Sequence, residues 1–440
     1  MFEALKAFVR AVVPAATLAR ALSAYHFALA ALAAIWHGYP ARSMLVVGVT
    51  GTKGKTSVAE MVSAILEKAG YATCVADSIR FKQGKNSRPN PTRMSMPGRF
   101  FIQKFLHDAL RGGCTAAILE MTSEGARQYR HRFLDLDALI FTNLAPEHIE
   151  SHGSYEAYAD AKFELGRQIA RSRKRPRIVV ADADDKESGR YLTLPVEHAL
   201  PFSLAACAPF SASGEGGYFT FENARVAIGL PGEFSLKNAL AAATLARALG
   251  IPAPVIAEAL GGMGDIPGRA ERIEAGTASA APGAAEAGKQ DFTVVVDYAH
   301  TPDSLAALYD AYKNARKICV LSAAGGGRDA WKRPVMGRIA NERCAEVILT
   351  DEDPYDEDPR QIVNDIAHGM KKPPEIVMDR REAIRRALEI AETGDAVLIT
   401  GKGTDPSIRG PGGREVPWDD ARVVREELEA LLKKRAANRV

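Results

Sequence analysis

The stretch GVTGTKGKTS, residues 48–57, constrains this chain more than any other ten residues. It follows MLVVGVT, a β-branched run that starts at Met44, and it leads into TSVAEMVSAILEKAG, which has helical spacing and ends at Gly70. A strand, a glycine loop and a helix in that order make an anion cradle. Gly51 and Gly54 allow the backbone to come close to an anion, and the free N–H groups of the helix start, aided by its dipole, face phosphate oxygens. Thr52 and Ser57 belong to the same turn, Lys55 can neutralise phosphate charge, and Thr56 offers a hydroxyl to Mg²⁺. The glycines nevertheless miss the usual G-x-x-x-x-G-K-[ST] spacing. Val49 stands five places before Gly54, and Gly48 is one residue early.

The rest of the chain reads as α/β. AAILEM (116–121), ALIFTN (138–143) and RIVVAD (177–182) are buried-strand candidates separated by helical segments, which predicts a mostly parallel sheet with helices on both faces. Short alternating runs within 190–230 suggest a small antiparallel sheet, and 233–262 reads as two helices. After a hinge-like MGDIPGRAER and an Ala/Gly/Pro-rich loop at 276–290, a second α/β pattern begins with FTVVVDYAH, KICVLSAAGG, AEVILTDED, EIVMD and DAVLITGKG. The expected layout is an apolar helical segment over 1–43, a central P-loop-type domain over 44–267 and a C-terminal Rossmann-like domain over 268–440. A chain of 440 residues is long enough for such a split.

Composition excludes some partners. A net charge of +3 gives no broad field for nucleic acid, and the basic run RSRKRPR (171–177) has no interleaved aromatic residues to stack bases. Cys74, Cys114, Cys207, Cys319 and Cys344 form no C-x-x-C pair, so reduced thiols in a cytoplasmic protein are expected. Residues 21–36, ALSAYHFALAALAAIW, are shorter than the ~20 residues that span a bilayer. Residues 2–36 read as one or two helices interrupted near Pro14. They either pack on the body of the protein or make a peripheral membrane contact through residues 8–36.

The offset loop resembles the nucleotide loop of the Mur ligase superfamily, whose members join amino acids to carboxylates at the expense of ATP. EMTSEGARQYR (120–130), TNLAPEHIESHGSYEAYADAKFEL (142–165), LPGEFSLKNALAA (230–242), PGRAERI, VVDYAHTPDSL and GGGRDAWKRPVMG resemble, in order, segments of the UDP-N-acetylmuramyl-tripeptide synthetase branch. The resemblance runs across nearly the whole chain from Met44 and implies an ATP-dependent amide ligase that works through an acyl phosphate. Its substrates would be a small-molecule or glycopeptide acid and an amino acid. It implies Mg²⁺, two ions, held by Thr56, Glu120, His148 and a carbamylated Lys162. It places Asn238 near adenine, Arg269, Asp297 and His300 near ribose and phosphates, and Arg328 and Lys332 near the phosphates or the acyl group. Thr122, Ser123 and Arg130 fall on its acid-substrate segment.

Three departures bear on the substrate. The branch begins with a UDP-holding domain of about a hundred residues, a typical small-domain size, whereas only 43 residues precede Met44 here. The diaminopimelate-selecting D-N-P-R is replaced by EDPY, so Tyr355 stands where an arginine would fork onto a carboxylate. G-K-G-H-E becomes GKGTD. Asp351, Asp353 and Asp405, with Tyr355 and Gly401, then suggest a site for the amine of the incoming amino acid. A non-UDP or lipid-linked acid, and a nucleotide-binding regulatory homologue without ligation, are the alternatives.

Overall fold

The computed structural model describes residues 14–92, 94–147, 149–275 and 290–438. It forms two compact units. Of the described residues, the first holds those within 1–144, 155–203 and 238–256, and the second those within 145–154, 204–237 and 257–440.

In the first unit, helix α1 (Ala15–Trp36) starts directly after Pro14, a residue that fits a helix start and not an interior. It is followed by β1 (Leu45–Thr50), α2 (Lys55–Lys68), β2 (Thr73–Ala76), β3 (Arg80–Gln83), β4 (Asn86–Pro89), α3 (Arg99–Arg111), β5 (Ala116–Glu120), β6 (Ala138–Phe141), α4 (Tyr155–Ala170), β7 (Ile178–Asp182) and β8 (His198–Phe202). These strands form one sheet in the order β4-β3-β2-β5-β1-β6-β7-β8. All neighbours from β2 to β8 are parallel, and β3 and β4 close one edge as an antiparallel hairpin. The central strands β1, β5, β6 and β7 are almost wholly buried, which explains their continuous apolar runs. Among the described residues no helix is long and apolar enough to cross a membrane.

The second unit contains the small antiparallel sheet expected from the 190–230 pattern: β9 (Ser211–Ser213), β10 (Gly216–Phe221) and β11 (Ala224–Ile228). Its larger sheet takes β12 (Glu271–Arg272), β13 (Thr293–Asp297), β14 (Lys317–Leu321), β15 (Glu346–Leu349), β16 (Glu375–Ile376) and β17 (Ala396–Thr400) in the order β12-β13-β17-β14-β15-β16. All pairs but β12–β13 are parallel. β18 (Ser407–Arg409) and β19 (Glu415–Pro417) make a separate hairpin.

The expectation of five reduced thiols is corrected at one pair. Cys319 on β14 and Cys344 just before β15 form a disulfide, their Cα atoms 6.3 Å apart. The crossover through the helix Lys332–Arg343 returns the chain beside its starting strand, so a separation of 25 residues becomes a contact. Cys74, Cys114 and Cys207 are free.

A buried polar network ties the strand ends of the second unit together. Arg380 donates from Nε and Nη2 to the two oxygens of Asp420 at 2.8 and 2.7 Å, and from Nη1 to Ser322 Oγ at 3.1 Å. Ser322 in turn donates to Glu352 Oε2 at 2.8 Å. Removing one partner of such a pair strands the other charge in the interior. Asp420→Ala is expected to destabilise the protein by about 3–5 kcal/mol. Chemical unfolding followed by circular dichroism checks this, and an unchanged midpoint would show that the network is dispensable.

Candidate active site

The loop between β1 and α2 carries its two demanding glycines at positive φ, +142° at Gly51 and +81° at Gly54. Side chains press on both. A Cβ at Gly51 would lie 2.0 Å from Thr142 Oγ1, and one at Gly54 would lie 2.3 Å from Asn238 Oδ1. Asn238 sits on the helix Glu233–Ala248, so the residue expected near adenine is placed directly against the phosphate-type loop. Residues after β6 lock the same turn. Thr52 N donates to Asn143 O at 2.8 Å, Lys53 N to Asn143 Oδ1 at 2.9 Å, and Thr142 Oγ1 to Lys53 O at 2.6 Å.

Of the expected metal residues, Thr56, Glu120 and Lys162 gather at this loop. Thr56 Oγ1 donates to Glu120 Oε2 at 2.8 Å. Lys55 Nζ donates to Thr52 O at 2.9 Å and lies 3.9 Å from Glu120 Oε1. Lys162, only 3% exposed, donates to Gly51 O at 2.6 Å and stands 5.0 Å from the Tyr158 ring centroid. Tyr158 OH bonds Thr52 Oγ1 at 3.0 Å. Ser57 lies in the first turn of α2. His148 lies outside the described residues. Thr56 and Glu120 supply a hydroxyl and a carboxylate, the hard oxygen donors that suit Mg²⁺ beside substrate phosphates.

Two residues that the sequence reading passed over belong to this cluster. Ser78 N donates to Glu120 Oε2 at 3.1 Å, and Ser78 Oγ meets Thr56 Oγ1 at 3.0 Å. Asp77 is fully buried, and its carboxyl is held well above the usual range by burial, then by Glu60 and Glu120. The signal was VADS, a polar pair at the carboxyl end of a parallel strand, where open α/β sheets place their ligand sites.

Around the short helix Ser123–Arg127, Thr122 is the N-cap and accepts from Gly125 N at 3.1 Å, and Ser123 is buried. Arg130 donates to Met96 O and to Gln128 Oε1. Burial and then the Arg99 charge hold the Arg130 guanidinium below its ordinary range, and Arg99 itself contacts His26 of α1. Three basic side chains therefore meet on this side of the first unit.

The second unit assembles the remaining expected residues. Asp297 accepts from Ala270 N and Ala299 N at 2.6 Å each. Arg269 lies 4.8 Å from the Tyr298 ring centroid. His300 meets Tyr298 O through Nδ1 at 2.7 Å and Glu147 Oε1 through Nε2 at 2.9 Å. Lys332 is buried at the start of its helix, and burial raises the Asp351 carboxyl. Gly401 follows β17. Asp353 and Asp405 do converge, but on a cation that the sequence reading omitted. Lys402, fully buried, donates to Asp353 Oδ1 at 2.8 Å and to Asp405 Oδ2 at 3.1 Å. Asp353 also accepts from Arg409 N, and at 1% exposure it is an interior support for this loop. Asp405 is the more accessible of the two. The hydroxyl of Tyr355 accepts from Arg328 Nη2 at 3.0 Å.

Comparison with known proteins shows what the chain is similar to. The family description "Mur ligase middle domain" matches residues 49–246, and "Mur ligase, glutamate ligase domain" matches 268–403. The UDP-N-acetylmuramyl-tripeptide synthetase of Roseiflexus sp. (strain RS-1) is 36% identical over 432 residues, covering 92% of this chain and 82% of the relative. The UDP-N-acetylmuramoyl-L-alanyl-D-glutamate--2,6-diaminopimelate ligase of Listeria innocua serovar 6a is 34% identical over 420 residues, with the same coverage. Among solved structures, Mycobacterium tuberculosis folylpolyglutamate synthase complexed with ADP and AMPPCP shares the fold. Its TM-score is 0.63 at 16% identity, covering 85% of this chain and 92% of that one.

The loop geometry yields a direct expectation. Gly54→Ala should weaken binding of an ATP analogue by about tenfold or more, because the added methyl meets Asn238 at a left-handed position. Titration calorimetry reads this, and wild-type affinity in the variant would show that the loop tolerates a side chain.

Proposed function

Because the chain belongs to the Mur ligase family and is an ATP-dependent C–N ligase, we propose that it joins an amino acid to the carboxylate of a muramyl-peptide-like acid in peptidoglycan synthesis. The observation that carries this reading is the clustering of Lys55, Thr56, Glu120 and Lys162 on the Gly51–Gly54 loop. The acid's carboxylate oxygen attacks the γ-phosphorus, an O–P bond forms, and ADP departs. The amine then attacks the acyl carbon, inorganic phosphate leaves, and the ammonium proton is released. Backbone N–H groups at the start of α2 and the Lys55 ammonium offset the charge that builds on the phosphate oxygens. Asn238 borders the nucleotide at Gly54.

Thr56 and Glu120 would hold Mg²⁺, and a carbamate on Lys162 with His148 would serve a second ion. Such ions shield the phosphate oxygens from the incoming nucleophile. Asn238, Arg269, Asp297 and His300 complete the nucleotide set. Thr122, Ser123 and Arg130, beside Arg99 and His26, serve the acid substrate. Asp405 faces the amine of the amino acid. A boundary near Pro267, between the two matched family segments, is part of the same reading.

Helix α1 adds a membrane contact to the proposal. Its exposed side carries Leu22, Tyr25, Leu32, Ile35 and Trp36, the last two 62% and 76% exposed. Such a face, ending in an aromatic residue, suits the headgroup boundary of a bilayer. It also favours, as a second reading, a lipid-linked acid over a UDP-linked one.

Purified protein with ATP, Mg²⁺, UDP-linked or lipid-linked muramyl peptides and an amino acid should release ADP only when acid and amino acid are both present. ADP formed without either would indicate an ordinary NTPase. Lys55→Ala should lower the rate by at least about a hundredfold, and near-normal turnover would remove that lysine from the mechanism. Lys162→Ala should be partly rescued by added short carboxylates. The double variant Ile35→Asp/Trp36→Asp should lose co-sedimentation with anionic vesicles at unchanged melting temperature, whereas retained binding would move the contact elsewhere.

A further inference from the structure

Three segments of the second unit meet at Tyr355: the loop Gly325–Arg328 after β14, the loop after β15, and β18. The Tyr355 hydroxyl accepts from Arg328 Nη2 at 3.0 Å and from Arg409 Nη1 at 3.3 Å. Both guanidinium carbons also lie near the ring, 5.3 and 5.9 Å from its centroid. Two cations thus share one neutral oxygen, an arrangement that like charge disfavours. The compensation is one-sided. Arg409 Nε has Glu415 Oε1 at 3.0 Å, while Arg328 makes no ion pair among the described residues. Both side chains reach solvent.

The arrangement is held by backbone. Tyr355 sits at φ +54°, a left-handed conformation that a bulky residue rarely adopts. Its N–H donates to Arg409 O at 3.1 Å, Arg409 N donates to Asp353 Oδ1 at 2.8 Å, and Gly325 N donates to Asp353 O at 2.8 Å. The ring lies on Gly326, where a Cβ would come within 2.8 Å of it. Strain maintained by this many bonds is the kind that marks ligand clamps.

We propose that Arg409, together with Arg328, grips a carboxylate of the incoming amino acid, supplying from β18 the guanidinium that EDPY lacks at Tyr355. The inference rests on the ligase reading above and sharpens its specificity. A carboxylate fits better than a phosphate because acidic groups frame the pair. Asp405 and Glu415 would repel a multiply charged phosphate, but they suit the ammonium that an amino acid carries beside its carboxylate. Burial works against the Arg409 charge, and Tyr355, Glu415 and then Asp405 together outweigh it and raise the guanidinium above its ordinary range. The carboxylate has two sources: the one next to the reacting amine, or a second one at the far end of a diaminodicarboxylic acid.

Calorimetry on the full chain holding a non-hydrolysable ATP analogue tests this, with L-lysine and meso-2,6-diaminopimelate as probes. Arg409→Ala should weaken binding of the amino acid by about tenfold or more while ATP-analogue affinity stays within about twofold. Arg409→Lys should recover part of the loss, since it keeps the charge but not the two-pronged geometry. If Arg409→Ala does not fold, the lysine variant carries the comparison through an intermediate affinity. Loss confined to diaminopimelate assigns the far carboxylate, and equal loss for both probes assigns the near one. Unchanged amino-acid affinity in both variants, a matching loss of ATP-analogue affinity, or no binding of either probe to the wild type overturns the proposal. ADP release is measured separately. Arg409-dependent binding without ADP release would sink the ligase reading and leave this site standing.

Discussion

A buried ammonium on a loop carbonyl sets the geometry of the first unit. Lys162 reaches from α4 to Gly51 O at 2.6 Å, and it does so from a position almost closed to water. A lysine charge in the interior is costly unless hydrogen-bonded. The bond therefore works in both directions, stabilising the charge and pinning a carbonyl whose neighbours must present N–H groups to an anion. Thr142 and Asn143 hold the other side of the same turn. With the loop fixed from two strands and a helix, Lys55 and Thr56 have little freedom in where they point, and Glu120 at the end of β5 receives both.

The second unit solves a related problem by alternating charge. Asp353, Lys402 and Asp405 form one chain of opposite signs, and Glu352, Ser322, Arg380 and Asp420 form a second, largely buried one. The first connects the carboxyl ends of β15 and β17, and the second those of β14, β15 and β17, where a parallel sheet opens its crevice. Groups tied in this way cannot reorganise freely when a substrate arrives. Their role is to present the more exposed Asp405, Arg328 and Arg409 in set positions.

Legibility in the sequence followed the range of the interaction. Periodicity located β1, β5, β6, β7 and, in the second sheet, β13, β14, β15 and β17, because each is a local apolar run that is largely buried; the exposed edge strand β16 was marked only by the short run EIVMD. The antiparallel β9–β11 sheet was legible from its alternation. Motif order grouped Lys55, Glu120, Lys162 and Asn238, whose side chains lie around one glycine loop. What sequence reasoning could not see were pairings made by the crossovers. Cys319 and Cys344 become neighbours only after a β–α–β return. Lys402 carries no role in the comparison of GKGTD with its motif, yet it is committed to two aspartates. Asp353, read as a ligand for an external amine, is enclosed with that internal one.

The proposed carbamate on Lys162 has a structural consequence that follows from charge alone. Carbamylation replaces an ammonium with an anion, so the donor side of the 2.6 Å bond to Gly51 O would be reduced to a single amide-like N–H. An anion this deeply buried, with the Glu120 carboxylate serving the same loop through Thr56 and Lys55, would need cations to offset it. Modification, metal loading and the resting position of the glycine loop are then one coupled equilibrium. In that scheme the unmodified lysine keeps the loop in register before nucleotide arrives, and the modified one favours it once metal and phosphate are in place.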